Sequence, residues 1–382
     1  MTAPYFNPLP SPKTTLIENA KFVLTRTGPL KRTSILVSDR RIKAFGEKEE
    51  IRKKYGGWEE SVEAGTCIAM PGLINTHTHI GMGLLRGLAE DLPLFKWLQE
   101  RIWPLEAKLK PEHIELGATI GAVEALLSGT TTITSVYFYD KAGSEASAIY
   151  GTGNRGVLAQ GVFDWTEEKG TKKTEEYVEE WHGRDEGRIR IATSPHAPYS
   201  CSPQLLRHIE LLREKLNDIR GREYPILNTI HVAEAPGEAH EIETKYKVPV
   251  EHGVVSYLDS LGVLNTQTIA AHSIHLTEYD YDAFQRSGAS IASCPVSNLK
   301  VGMGVADIPK AISQNITVSL GTDGPASNNS LDMFETMKFA SLLQKGLKGD
   351  TTLLGAKDSF DLATSGGAKA LRQDGHIGTL EL

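Results

Sequence analysis

Two histidines separated by a single residue, in Asn75-Thr-His77-Thr-His79, are the first residues of this chain whose spacing suggests chemistry. On an extended strand, side chains two apart point the same way, so both imidazoles can converge on one ion. Alone the pattern is weak. With twelve histidines in 382 residues, an H-x-H arises by chance in roughly one such chain in three. Further groups of the same kind follow. His231-Val-Ala-Glu234 offers an imidazole and a carboxylate, His272-Ser-Ile-His275 two imidazoles, Ser194-Pro-His196 another, and Gly321-Thr-Asp323-Gly324 a carboxylate. Three imidazoles and one carboxylate make a site for zinc with a water in the open position, and iron(II) accepts the same donors.

Such a set works only if the fold gathers it, and each group stands at the end of a short apolar run. Eight runs recur from about residue 67: Cys67–Asn75, Thr131–Tyr137, Gly156–Val162, Arg190–Ser194, Ile226–Val232, Thr268–His272, Ser290–Cys294 and Ile316–Gly321. Amphipathic stretches separate most of them, the clearest being Glu112–Ser128 and Pro203–Leu216. Eight strands with helical crossovers predict an α/β fold, a (β/α)8 TIM-type barrel, in which catalytic groups gather at the C-terminal strand ends. A doubly wound open sheet competes on strand count alone. Before the barrel, Thr14–Asn19, Lys21–Thr25, Ser34–Ser38 and Arg41–Phe45 alternate apolar and polar residues, which suits an antiparallel sheet with one wet face. The charged stretch Gly46–Glu50 reads as a loop closing that sheet off. The expected division is therefore residues 1–66 for the small β-domain, 67–345 for the barrel and 346–382 for C-terminal helices.

Other chemistries lack their residues. The zinc-protease pattern H-E-x-x-H fails because His240-Glu241 is followed by Thr244. The P-C-x-x-C of nucleotide deaminases fails because Cys294 precedes Pro295 and no second cysteine follows. Gly151-Thr-Gly-Asn-Arg-Gly156 matches a dinucleotide loop in letters only, since a helical stretch precedes it and a strand follows. The charge sum of 41 − 48 = −7 disfavours nucleic acid and anionic membranes as partners, and no apolar run is long enough to span a bilayer. The N-terminus lacks the basic start and apolar core of a signal peptide. Three scattered cysteines, Cys67, Cys201 and Cys294, read as small buried side chains in a reducing, cytoplasmic setting.

H-x-H after strand one, H-x-x-E after strand five, a histidine after strand six and T-D-G after strand eight together resemble the amidohydrolase superfamily. The match spans nearly the whole chain. Thr76–Trp97, continuing through Leu98-Gln-Glu-Arg-Ile-Trp103-Pro-Leu-Glu106, is similar to the 5′-methylthioadenosine/S-adenosylhomocysteine deaminase branch. The fourth run holds no lysine to bridge two metals, so the resemblance implies one divalent ion, zinc or else iron(II). It implies a hydrolytic deaminase acting with water on an adenosine-type nucleoside, with a small β-sandwich beside the barrel. His77, His79, His231 and Asp323 then hold the metal, and Asp323 also takes a proton from water. Glu234 carries a proton to the ring nitrogen and the leaving ammonia, and His272 hydrogen-bonds the attacking oxygen. The same resemblance places Trp97 in the nucleoside pocket, Glu106 on the ribose hydroxyls, and His196 and Ser327 on the base or the reacting oxygen.

Plainer readings stand beside these. His113, His182, His208, His240, His252 and His376 read as exposed or capping residues, and His275 as a packing neighbour of the site. Trp97 and Trp103, six apart in an amphipathic stretch, could both be core. The competing functions are a hydrolase of guanine-like, 8-oxoguanine or triazine rings and, more remotely, a non-catalytic barrel scaffold. Some relatives carry arginine within strand three, where Gln160 stands here, while Arg155 begins the strand. That departure favours a substrate with an uncharged 5′ group. The chain ends at His376–Leu382, where the family's return to its β-sandwich would begin, so that domain is expected to be small or cut short. A homo-oligomer, dimer or tetramer, is expected by analogy.

Overall fold

The computed structural model describes residues 13–140, 143–221 and 223–382, in two units. One unit holds the described residues up to Gly72 together with Gln373–Leu382. Its strands are β1 (Thr15–Thr25), β2 (Gly28–Ser38), β3 (Arg41–Gly46), β4 (Glu60–Glu63) and β5 (Ile68–Ala69), in the order β3-β2-β1-β4 with β5 also on β1. The two first-expected strands are one. A bulge at Asn19, whose φ is 51°, joins them and shifts the register between Ile17 and Ala20. The extra residue puts Ile17 and Ala20 on one face, where Val23, Ile35, Ala64 and Leu380 pack with them. The sheet is mixed rather than antiparallel, because β4 and β5 run parallel to β1. The cause is a helix, Lys48–Tyr55, that returns the chain across the sheet. It begins inside the charged stretch expected to be a loop, and Glu49 and Glu50 sit in its first turn, where acidic side chains favour a helix.

The second unit is Leu73–Arg372. Its strands are β6 (Leu73–Thr78), β7 (Thr130–Tyr137), β8 (Arg155–Val162), β9 (Ile189–Pro195), β10 (Asn228–Val232), β11 (Thr268–His272), β12 (Ser290–Ser293) and β13 (Thr317–Leu320). They pair in parallel in sequence order, and helices fill the connections, giving the TIM-type barrel. First and last strands meet through side chains and backbone: Asp323 N donates to His77 O (3.0 Å) and Thr76 Oγ1 to Leu320 O (2.9 Å). The run Cys67–Asn75 is therefore not one strand. Met70-Pro71-Gly72 interrupts it, with β5 on the small sheet and β6 in the barrel, since proline cannot donate to a ladder. Helix Ser144–Thr152 ends at Gly153 just before β8, so the glycine motif there is a helix stop feeding a strand. Helix Pro203–Arg220 starts on Ser202, whose Oγ accepts from Leu205 N at 3.2 Å. Cys201 and Cys294 are fully buried, but Cys67 is exposed, because its turn uses its backbone: its N donates to Ala64 O and its O accepts from Lys21 N. Among the described residues no helix is long and apolar enough to cross a membrane.

Candidate active site

The proposed donors converge at the C-terminal end of the barrel. His77 lies within β6 and His79 one residue past its end. His231 is in β10, His272 ends β11, and Asp323 follows β13. His77, His79 and His231 form one set of atoms within 4.8 Å of one another, and His77, His272 and Asp323 an overlapping second. His79 Nε2 lies 3.3 Å from His231 Nε2 and 3.1 Å from Asp323 Oδ1, while His77 Nε2 lies 3.6 Å from that same oxygen. Two nitrogens bound tetrahedrally at the zinc distance sit about 3.3 Å apart. Neither nitrogen of His77 has a hydrogen-bond partner, nor does Asp323 Oδ1, although all are buried. Buried polar atoms left unpaired are costly, and a divalent cation among them would satisfy the set.

The other side of each ring is held. His79 Nδ1 donates to Val136 O (2.6 Å), His231 Nδ1 to His196 O (2.8 Å) and His272 Nδ1 to Asn298 Oδ1 (2.8 Å). These contacts turn the Nε2 atoms inward, as ligating histidines require. Asp323 is fixed through Oδ2, which accepts from Ser297 Oγ (2.5 Å) and Ser327 Oγ (2.8 Å), leaving Oδ1 for the centre. His272 and Asp323 both adopt left-handed backbone, with φ of 68° and 62°, a strain that aims their side chains where the strand direction would not. Glycine is required beside them. A Cβ on Gly321 would lie 2.8 Å from His77 O.

Charge is arranged to match. Burial and the neighbouring imidazoles hold His77 well below the usual histidine range, and burial first of all pushes His231 down to about 3, so both present lone pairs. Burial also works against a proton on His79, but Asp323 and the Val136 carbonyl outweigh it and lift that ring to about 9. Asp323 stays well below the carboxylate range in spite of its burial, through His79 and the other rings. A cation entering the site would take the place of that proton. Glu234 lies 3.5 Å from His272 Nε2 and, desolvated, is shifted upward.

A cavity opens from these groups. Trp97, Glu106, His196 and Ser327, the proposed substrate contacts, all line it, together with Met82, Leu94, Trp103, Phe138 and Tyr199. Glu106 is 1% exposed, its Oε1 has no partner, and burial lifts its carboxyl to about 8. Trp97 is spoken for at its ring nitrogen, which donates to Ala89 O (3.1 Å), so only its apolar ring faces the space. Ser327 is turned to Asp323 rather than free for a ligand. Gln160 does not reach the cavity: its amide donates to Phe138 O and Gly161 O, both at 3.1 Å. Arg155 begins β8, at the end of that strand away from the donors. His275 is a neighbour of the site, its Nε2 on Met303 O (2.8 Å), while His182 is half-buried and bridges Tyr224 O and Ile191 N. Sequence reasoning missed Ser297 and Asn298, which position Asp323 and His272, and Tyr199, whose hydroxyl approaches Glu234 at 3.5 Å. The first two lie within the short helix Pro295–Lys300 that follows β12, so no strand-end position marked them.

A family model described as the amidohydrolase family matches residues 68–382. The chain belongs to that family. This amidohydrolase is 40% identical over 326 residues to a 5-methylthioadenosine/S-adenosylhomocysteine deaminase of Caldanaerobacter subterraneus subsp. tengcongensis, covering 84% of this chain and 72% of the relative. It is 40% identical over 353 residues to a 5'-deoxyadenosine deaminase of Methanothermobacter thermautotrophicus, covering 91% and 78%. Among solved structures, an adenosine deaminase from Xanthomonas campestris with bound zinc superposes with a TM-score of 0.87 at 31% identity, covering 97% of this chain and 82% of that one.

Proposed function

We propose that this amidohydrolase is a zinc-dependent hydrolytic deaminase of adenosine-type nucleosides. The substrates are 5′-methylthioadenosine, S-adenosylhomocysteine, 5′-deoxyadenosine or adenosine itself, giving the inosine analogue and ammonia. The observation that carries the nucleoside reading is Glu106: a buried carboxyl beside the Tyr137 hydroxyl, with no hydrogen-bond partner at Oε1, lining the same cavity as the histidine–aspartate cluster. A buried carboxyl oxygen needs donors, and a ribose supplies two adjacent hydroxyls. A plain heterocycle such as guanine or a triazine has N–H donors but not that pair.

His77, His79, His231 and Asp323 would hold the zinc, which supplies a strong nucleophile by acidifying a bound water. Asp323 would accept a proton from the attacking water. Glu234, whose carboxyl burial shifts above its usual range, would give its proton to the ring nitrogen and then relay a proton of that water to the departing amino group. His272 would turn Nε2 towards the oxygen on which charge develops, while Asn298 holds Nδ1. Trp97 covers a face of the bound nucleoside, and His196, held at Nδ1 by Ser200 Oγ (2.7 Å), presents its other nitrogen to the cavity. The test is an ammonia-release panel on zinc-loaded protein with the four nucleosides, guanine, 8-oxoguanine and a triazine. Turnover of guanine or the triazine above every nucleoside would discard this reading.

A further inference from the structure

We propose that Trp103, Phe163 and Trp165 form an aromatic shelf that binds the substituent at the 5′ end of the nucleoside and selects an uncharged thioether or alkyl group over a charged amino acid. The proposal rests on the nucleoside reading above. Trp103 lines the cavity and lies three residues before Glu106, so the two share a helix face one turn apart. A ribose held by its hydroxyls at Glu106 therefore directs its 5′ end towards the Trp103 ring. From there the aromatics run outward. Trp103 meets Trp165 edge to face at 6.2 Å and Phe163 at 6.1 Å, and Trp165 stacks on Phe163 at 4.3 Å with the rings 14° apart.

The row is built from below. Phe163 packs against Phe138 at 5.0 Å and His196 at 4.5 Å, which connects it to the reacting end of the cavity. Gly161 makes this possible, since a Cβ there would fall 1.8 Å from the Phe138 ring. The outer member, Trp165, is 62% exposed although one face is covered by Phe163. A large flat apolar surface left open beside a cavity favours an apolar ligand, and thioether sulfur packs well against aromatic rings.

Charge points the same way. Among the described residues that line the cavity there is no lysine or arginine, whereas Glu106, Glu234 and Asp323 all do. Lys245 is outside this lining, its Nζ donating to Tyr199 O at 3.1 Å. Within the cavity an amino-acid carboxylate on the 5′ arm would find carboxyl groups and aromatic faces rather than a fixed cation, and Lys169 and Lys172 stand only in the separate groove that Trp165 also lines, beside Glu167 and Glu168.

The test is kcat/KM for 5′-deoxyadenosine, 5′-methylthioadenosine, 5′-butylthioadenosine and S-adenosylhomocysteine, with the native protein, Trp165→Ala and Trp165→Phe. The native series should climb with apolar length, by up to about fourfold for each methylene that the shelf covers. S-adenosylhomocysteine should fall below the butylthio compound. Trp165→Ala should cost the butylthio substrate several times more than the deoxy substrate, with Trp165→Phe recovering part of the difference. Quenching of indole fluorescence by 5′-butylthioinosine, reduced in both variants by the share of Trp165, gives a readout independent of turnover. S-adenosylhomocysteine equal to or better than the butylthio compound would overturn the shelf, as would equal losses across the series in Trp165→Ala. If no nucleoside is deaminated, the underlying reading falls with it. Nucleoside turnover with a flat series removes the shelf alone.

Discussion

The floor and the wall of the cavity are constructed on opposite principles. The floor draws one or two side chains from each of several strand ends, His77 and His79, His231, His272 and Asp323, and ties down the far side of most of them with a hydrogen bond. The inward atoms of His77, His272 and Asp323 have no hydrogen-bond partner in the protein. Much of the wall comes from one continuous segment, Leu94–Glu106, whose apolar residues pack as an ordinary core with a single buried carboxyl, Glu106, among them. Damage to the floor should therefore remove the chemistry, whereas damage to the wall should change what is bound.

The sharpest way to break this contrast is at the floor. His231→Ala or Asp323→Ala should lower bound zinc from one per chain to near none, as measured by elemental analysis, and reduce turnover to background. Retention of stoichiometric metal in His231→Ala would show that the overlapping second set, His77, His272 and Asp323, suffices. Glu234→Gln should keep the metal but lower kcat by about a thousandfold, within the span of positioned acid–base groups. At the wall, and above about pH 8 where its carboxyl is ionised, Glu106→Gln should raise KM for nucleosides by about ten- to a hundredfold, the worth of hydrogen bonds to a charged group, with a smaller change in kcat.

Glu106 also gives a pH signature. Its carboxyl titrates near 4.5 when unfolded and at about 8 when folded, so the folded protein binds the extra proton between those values. Its contribution to stability is whole below about 4.5, is lost as pH rises towards about 8, and amounts to a few kcal/mol at most by about 1.4 kcal/mol per pKa unit. Glu106→Gln should accordingly raise the melting temperature more at pH 9 than at pH 5. An equal shift at both would mean that Glu106 ionises freely in the native state. The smallest effect belongs to the supporting layer: Asn298→Ala should reduce kcat by about three- to tenfold with KM little changed, through loosening of His272.

The floor was largely legible in the sequence and its scaffolding was not. H-x-H, H-x-x-E and T-D-G announce themselves because strand ends of a parallel barrel must converge, so residue type and position both carry information. Ser297 and Asn298 carried no such mark, since hydroxyl and amide residues after a strand usually serve as helix caps. The small sheet was legible as strands but not as a topology. Nothing local distinguishes a strand returning parallel, such as β4, from one turning back in a hairpin, and the decision lay in whether Lys48–Tyr55 folded as a helix. Glu106 could be proposed only from its neighbours in sequence. That its carboxyl is buried, with no partner at Oε1, is a property of packing.

The segment that carries Trp97 and Glu106 contains a wide turn, Trp97–Ile102, with hydrogen bonds spanning five residues instead of four, between regular helical turns on either side. Such a turn holds one residue more than an α-helix would, and each helical residue turns the chain by about 100°. The two groups assigned to a face and to the ribose of a nucleoside thus owe their common orientation to an irregularity between them. Removing one residue from Trp97–Ile102 would restore a regular helix and leave every contact of the metal cluster intact. It would also rotate Trp97 and Glu106 out of phase, so that one of them faced away from the cavity. Specificity in this enzyme could therefore be switched off by a repair.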